Sequence, residues 1–150
     1  MNNLTKVSEI KVLFKPRFKA SERPQITRAK DAYQVLKQSW NEDLMQFVEE
    51  FKVILLNNAN RVMGIVDIAK GGKDSVAVDI RVIYSIALKT SASKLILAHN
   101  HPGGGLNPST ADKTLTTKVI RAGQMLDIEV CDHIIISNEG YYSFADDGLL

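Results

Sequence analysis

The order of expected elements gives an α/β fold: a curved, mixed, largely antiparallel sheet with helices packed on both of its faces, a three-layer α-β-α arrangement. Two observations carry this reading. Short apolar, β-branched runs stand at residues 51–56, 62–68, 95–98 and 130–137, each bounded by turn formers. Between them lie stretches whose apolar residues recur at helical spacing, from Thr27 to Trp40, from Asp79 to Leu88 and from Ser109 to Leu126.

In chain order, Ile10, Val12 and Phe14, set among the lysines Lys11 and Lys15, predict an edge strand that ends at Pro16. Residues 17–26 read as a polar loop, so residues 1–25 form a basic arm and residues 26–150 a single domain. Thr27 is a plausible N-cap for a helix whose Ala29, Ala32, Tyr33, Leu36 and Trp40 face a core. The two aromatic residues are packing, not a cofactor box. Asn41-Glu42-Asp43 breaks that helix, and the stretch 44–48 leads through Glu49 and Glu50 into the strand 51–56. Asn57 to Asn60 is dense in turn formers and makes a hairpin with 62–68. The Gly71-Gly72 pair is a plain turn without phosphate-loop spacing. Asp79 can cap a helix through Ile83, Ala87 and Leu88 that feeds the strand ending at His99. After the helix that follows Ser109, the strand 130–137 turns at Asn138-Glu139-Gly140 into 141–144.

The segment Ala98 to Asp112 organises the rest. Side chains alternate along an extended chain, so His99 and His101 point the same way and can reach one ion. Pro102 and Gly103 to Gly105 force a sharp turn, after which Pro108 and Ser109 open a helix with Asp112 in its first turn. Two imidazoles and a carboxylate, with a vertex left for water, are what a catalytic zinc site requires. The same residues admit another reading, in which Ser109 caps the helix, Asp112 completes a capping box and the histidines are loop residues with no ion. His133 lies among β-branched residues beside Asp132, which suits a hydrogen-bonded supporting role better than ligation.

His-x-His-Pro, seven further residues to Ser109, then Ser-x-x-Asp resembles the JAMM motif of MPN/JAB-domain metalloproteases. His99-Asn100-His101-Pro102, Pro108-Ser109, Asp112 and the downstream Asp132-His133-Ile134-Ile135 resemble more narrowly the RadC-like JAB proteins, from about Glu49 to the C-terminus and more loosely back to Ile26. Gly103 departs from the serine that such chains often carry, and it touches no expected ligand. The resemblance implies the MPN/JAB fold, with zinc held by His99, His101 and Asp112. It implies a glutamate ahead of a strand that accepts a proton from the attacking water, and an oxyanion donor at Ser109. Offset matching prefers Glu49 over Glu50, since successive strand residues face opposite sides and only one can serve. Longer RadC-like chains carry an N-terminal helix-hairpin-helix-type region, which this sequence is expected to lack.

The implied activity is zinc-dependent hydrolysis of peptide or isopeptide-type amide bonds, with an unknown protein or peptide as substrate. A metal-dependent nuclease or DNA-repair-associated factor is the second reading, because the family name is linked to DNA repair and the N-terminus is basic. Residues 1–40 hold nine Lys or Arg against three Asp or Glu, a net +6 in a chain whose total is +2. Such an arm could meet nucleic acid, although it serves as well to solvate a loosely attached terminus. A non-catalytic MPN-type interaction module is the third. The contiguous letters His-Asn-His are not the scattered residues of HNH nucleases. At 150 residues, 45% hydrophobic and 24% charged, the chain is ordinary for one globular domain. It has no apolar run of membrane-spanning length and no signal-peptide core, so the expected location is the cytoplasm, with no membrane partner. Cys131 is the only cysteine, expected as a buried thiol and not as a nucleophile beside His133.

Overall fold

The computed structural model describes residues 6–11, 13–72 and 77–150. Within them the elements run α1 (Ala29–Ser39), β1 (Glu50–Leu56), β2 (Val62–Lys70), α2 (Ile80–Lys89), β3 (Lys94–Asn100), α3 (Thr110–Leu126), β4 (Glu129–Ile136) and β5 (Tyr141–Ser143). The five strands form one sheet in the order β2-β1-β3-β4-β5. β1–β2, β1–β3 and β4–β5 pair antiparallel and only β3–β4 pairs parallel, across the α3 crossover. The sheet is therefore mixed and largely antiparallel, as its two hairpins and its two helical crossovers, β2–α2–β3 past β1 and β3–α3–β4, require.

Period-two alternation sorts the central strands between two cores. Ile54, Leu56, Ile96, Ala98, Ile134 and Ile136 pack with Ala29, Ala32, Leu36 and Trp40 on the α1 side. Phe51, Val53, Leu55, Leu95 and Leu97 pack with Ile83, Tyr84 and Ala87 of α2 and Val119 of α3 on the other. β1 is buried along its whole length, which is why it reads as a continuous apolar run apart from Glu50 and Lys52. α3 is crowded at Gly123, where an added Cβ would lie 2.3 Å from the Ile128 carbonyl oxygen in the turn before β4 and 2.7 Å from the Tyr84 hydroxyl of α2.

Several local expectations need correction. The strand expected at 10–14 is absent among the described residues there, and Val12 lies outside them; Ile10 is 88% exposed, with no sheet edge beneath it to cover the alternating face. The expected loop at 17–26 contains a short 3₁₀ turn, Ala20–Glu22, and a bridge from Gln25 to Arg61. Thr27 does not cap α1 with its own oxygen. Asp31 Oδ2 reaches back instead, accepting from Thr27 N and Thr27 Oγ1 at 3.0 Å each and from Arg28 N at 3.3 Å. Asp79 does cap α2, accepting from Arg81 N at 2.9 Å. β4 carries an irregularity opposite Leu95/Ile96. Residues two apart normally share a face, yet here Cys131 packs on the α1 side while His133 points to the α3 side, so the thiol and the imidazole are separated. Burial, and then the nearby Glu129, push the Cys131 thiol up to about 11, which leaves it inert. Among the described residues no helix is long and apolar enough to cross a membrane.

Candidate metal centre

β3 ends where its partners can still reach it. His99, 2% exposed, pairs in register with Phe51 of β1 on one side and Ile135 of β4 on the other. His101 follows beyond the strand end, and its carbonyl accepts from Gly104 N at 2.8 Å. Gly104 takes φ +82°, a left-handed conformation that a side chain resists; of the three adjacent glycines only this one needs the freedom. The turn leads to α3, capped by Ser109, whose Oγ accepts from Asp112 N at 3.0 Å while Asp112 Oδ2 accepts from Ser109 N at 2.8 Å. The capping box is real.

The same carboxylate also faces the histidines. Asp112 Oδ1 lies 3.3 Å from His99 Nε2, Asp112 Oδ2 lies 3.1 Å from His101 Nε2, and the two Nε2 atoms are 2.9 Å apart. Capping and convergence are thus two uses of one side chain, and the alternatives left open by the sequence are not exclusive. His101 Nδ1 is 2.9 Å from the Gly105 carbonyl oxygen, which can only accept, so Nδ1 carries the proton and the neutral ring offers a bare Nε2. For bonds of about 2.0–2.2 Å, the edge of a tetrahedral site is roughly 3.3 Å. Separations of 2.9 to 3.3 Å among two imidazole nitrogens and a carboxylate are close to that scale, so these groups could share one small divalent ion.

Electrostatics agrees with this convergence. The Asp112 hydrogen bond raises the His101 pKa above its ordinary value, against the opposing effect of burial. Burial tends to raise the Asp112 carboxyl, but the facing nitrogens of His101 and His99 and the N–H of Ser109 outweigh it and hold the group well below the usual carboxylate range.

Glu49 joins the cluster. One carboxylate oxygen of Glu49 and one nitrogen from each of His99 and His101 lie within 4.8 Å of one another. Glu50 goes to the other face, where Lys52 Nζ is 3.6 Å and Lys70 Nζ 3.7 Å from its carboxylate. Alternation thus separates two neighbours that sequence could rank only by offset. Two clamps fix the backbone of Glu49. Gly71 N donates to Glu49 O at 2.8 Å and Glu49 N to Gly72 O at 3.1 Å, so the glycine pair read as a plain turn extends the hairpin under this residue. Asn100, fully buried, accepts from Glu50 N at 2.8 Å and donates to Met45 O at 2.7 Å and Val48 O at 2.9 Å. Neither clamp was visible in the sequence, because the partners lie about fifty or twenty residues away and are mostly main-chain atoms.

His133 is completely buried one hydrogen bond behind His99, with its Nε2 2.7 Å from His99 Nδ1 and its Nδ1 2.6 Å from Thr116 Oγ1. Burial, and then the neighbouring His99, hold its pKa well below the ordinary imidazole value. Its sequence neighbour Asp132 makes no dyad with the ring. That carboxylate accepts from His133 N, Ala145 N and Ser143 Oγ and ties down the turn after β5. Beside the cluster, a groove of about 280 Å³ is lined by Met45, Gln46, His101, Pro102, Ser137 and Glu139.

A family model described as RadC-like JAB domain matches residues 26–149. A UPF0758 protein of Flavobacterium johnsoniae is 44% identical over 124 residues, covering 83% of this chain and 53% of the relative. A UPF0758 protein of Porphyromonas gingivalis is 40% identical over 129 residues, covering 85% and 56%. UPF0758 protein YfjY of Escherichia coli is 42% identical over 102 residues, covering 68% and 64%. The chain spans between half and two thirds of the length of these curated relatives.

Proposed function

The chain belongs to the RadC-like JAB domain family, and from that premise we propose that it is a zinc-dependent hydrolase of peptide or isopeptide-type amide bonds. The observation that carries the reading is the meeting of His99 Nε2, His101 Nε2 and the Asp112 carboxylate within 3.3 Å, with the Glu49 carboxylate close to both rings. His99, His101 and Asp112 would hold the ion. When bound, it supplies Lewis acidity and brings the pKa of water toward neutrality.

This chain's own groups then divide the work. Glu49 accepts a proton as a water oxygen bonds to the amide carbonyl carbon. Ser109 keeps its hydroxyl proton while its oxygen accepts from Asp112 N, and it is exposed, so it can donate to the oxyanion that forms. As the carbon–nitrogen bond breaks, Glu49 returns its proton to the leaving nitrogen, and the products are a carboxylate and an amine. The groove from Met45 to Glu139 gives an extended polypeptide a place to lie against His101.

The test is hydrolysis of fluorogenic peptide-linked and isopeptide-linked amides by the zinc-loaded chain, beside plasmid DNA under the same conditions. Amide cleavage that disappears with a chelator and in Glu49→Gln is expected. DNA cleavage that requires magnesium or manganese and survives zinc removal, with no amide cleavage, would overturn the proposal in favour of a nuclease.

A further inference from the structure

We infer that Thr116 and His133 set the tautomer of His99, so that the nitrogen offered to the ion is fixed in advance by a hydroxyl on α3. The inference rests on the reading of His99, His101 and Asp112 as a cation site, and it concerns how that site is prepared.

The chain of hydrogen bonds has a direction because it is anchored on an atom that cannot reverse its role. Thr116 Oγ1 lies 2.7 Å from the Asp112 main-chain oxygen, which only accepts, so the single hydroxyl proton is committed there. His133 Nδ1 lies 2.6 Å from the same hydroxyl oxygen, which has no second proton to give. That contact is therefore a hydrogen bond only if Nδ1 carries the proton. His133 is fully buried, and among the described residues its ring nitrogens meet Thr116 and His99 with no carboxylate bonded to either, so the ring is neutral and its Nε2 is a bare acceptor.

His99 Nδ1, 2.7 Å away, must then be the donor. A neutral His99 with a proton on Nδ1 exposes a lone pair on Nε2, the atom that faces His101 and Asp112. The path begins at the main-chain oxygen of Asp112 and ends at its carboxylate, so one residue anchors the relay and completes the site that the relay prepares. Ligating histidines commonly donate their second nitrogen to a carbonyl or carboxylate. His101 does so through Gly105, whereas His99 uses a second imidazole, whose orientation would be ambiguous without Thr116. Thr116, 2% exposed, is thus a positioning residue.

Long-range proton–nitrogen NMR of the metal-free, ring-labelled full chain, at a pH above the imidazole range, reads each tautomer directly. The expected result is a proton on Nδ1 of both His99 and His133 and a bare His99 Nε2. Thr116→Val keeps the shape but removes the acceptor, freeing His133 to donate from Nε2 and to push the His99 proton onto its own Nε2. Zinc affinity, measured by competition with a chromophoric chelator, is expected to fall about 10- to 100-fold, with recovery in Thr116→Ser. A protonated His99 Nε2 in the unsubstituted protein overturns the inference without any variant. Unchanged tautomers and unchanged zinc affinity in Thr116→Val do the same. The hydrolase reading fails separately, because correct tautomers in a protein that cleaves no amide would refute that reading alone.

Discussion

The two faces of the sheet near the start of β1 gather similar polar chemistry to opposite effect. On the α1 face, Glu50, Lys52, Asp67 and Lys70 alternate in sign: Lys52 Nζ is 2.7 Å from Asp67 and 3.6 Å from Glu50, and it lies over the Trp40 ring at 5.0 Å from its centroid. Charges there are answered by charges. On the α3 face, Glu49, His99, His101 and Asp112 bring carboxylates and imidazole nitrogens together around one point. Burial of polar groups is therefore not itself a mark of a site. The convergence of several lone pairs on one point is that mark, since such a point is where a cation can be held.

The largest expected effect sharpens this contrast through its central carboxylate. Glu49→Gln keeps size and hydrogen bonding but removes the base. Zinc retention is expected to persist while amide hydrolysis falls by about 10²- to 10⁴-fold, as read by kcat/KM beside metal content. The matching change on the paired face, Lys52→Met, removes the cation that Glu50 and Asp67 share. A loss of about 1–3 kcal/mol in denaturant-measured stability is expected, with zinc affinity unchanged.

Protons provide the next break, because they compete for the same lone pairs. The His101 pKa is raised by Asp112, so zinc affinity is expected to fall as pH drops through that raised value, by about tenfold per unit for each proton displaced. In the metal-free protein the two histidines act oppositely on stability. His101 contributes stability that is complete below its unfolded value near 6.5 and is lost as pH rises through the raised folded value. His133, with its pKa lowered, favours unfolding as pH falls below about 6.5, where the unfolded ring takes a proton that the buried ring refuses. His101→Ala is therefore expected to leave a metal-free protein whose melting temperature falls more steeply with acidification. The smallest effect belongs to Asp67→Asn. Its side chain is 79% exposed, and a surface partner of that kind contributes roughly 0–1 kcal/mol.

Much of the frame was legible because it is local. The 51–68 hairpin, the Asp79 cap and the Ser109-x-x-Asp112 box each depend on residues close in sequence, and strand alternation alone aimed His99 and His101 the same way. What could not be read depends on distant partners. Glu49 separates from Glu50 only when Lys52 and Lys70 are seen to engage Glu50. Asn100 matters through carbonyls near Met45 and Val48, and Thr116 through an imidazole on β4. The displacement of Cys131 from the His133 face comes from an irregularity against β3 that no periodicity announces. The pattern at Ile10 to Phe14, already interrupted by Leu13, found no neighbouring strand among the described residues, a reminder that pattern proposes a face and only a partner makes a strand.

The most direct measurement of the central claim is zinc titration of the full chain and of Asp112→Ala, by calorimetry or chelator competition, with stability monitored so that folding is known. One zinc ion per chain in the unsubstituted protein and none retained in the folded variant is the expected result. Equal zinc binding by Asp112→Ala, or no zinc binding by the unsubstituted chain, would contradict it.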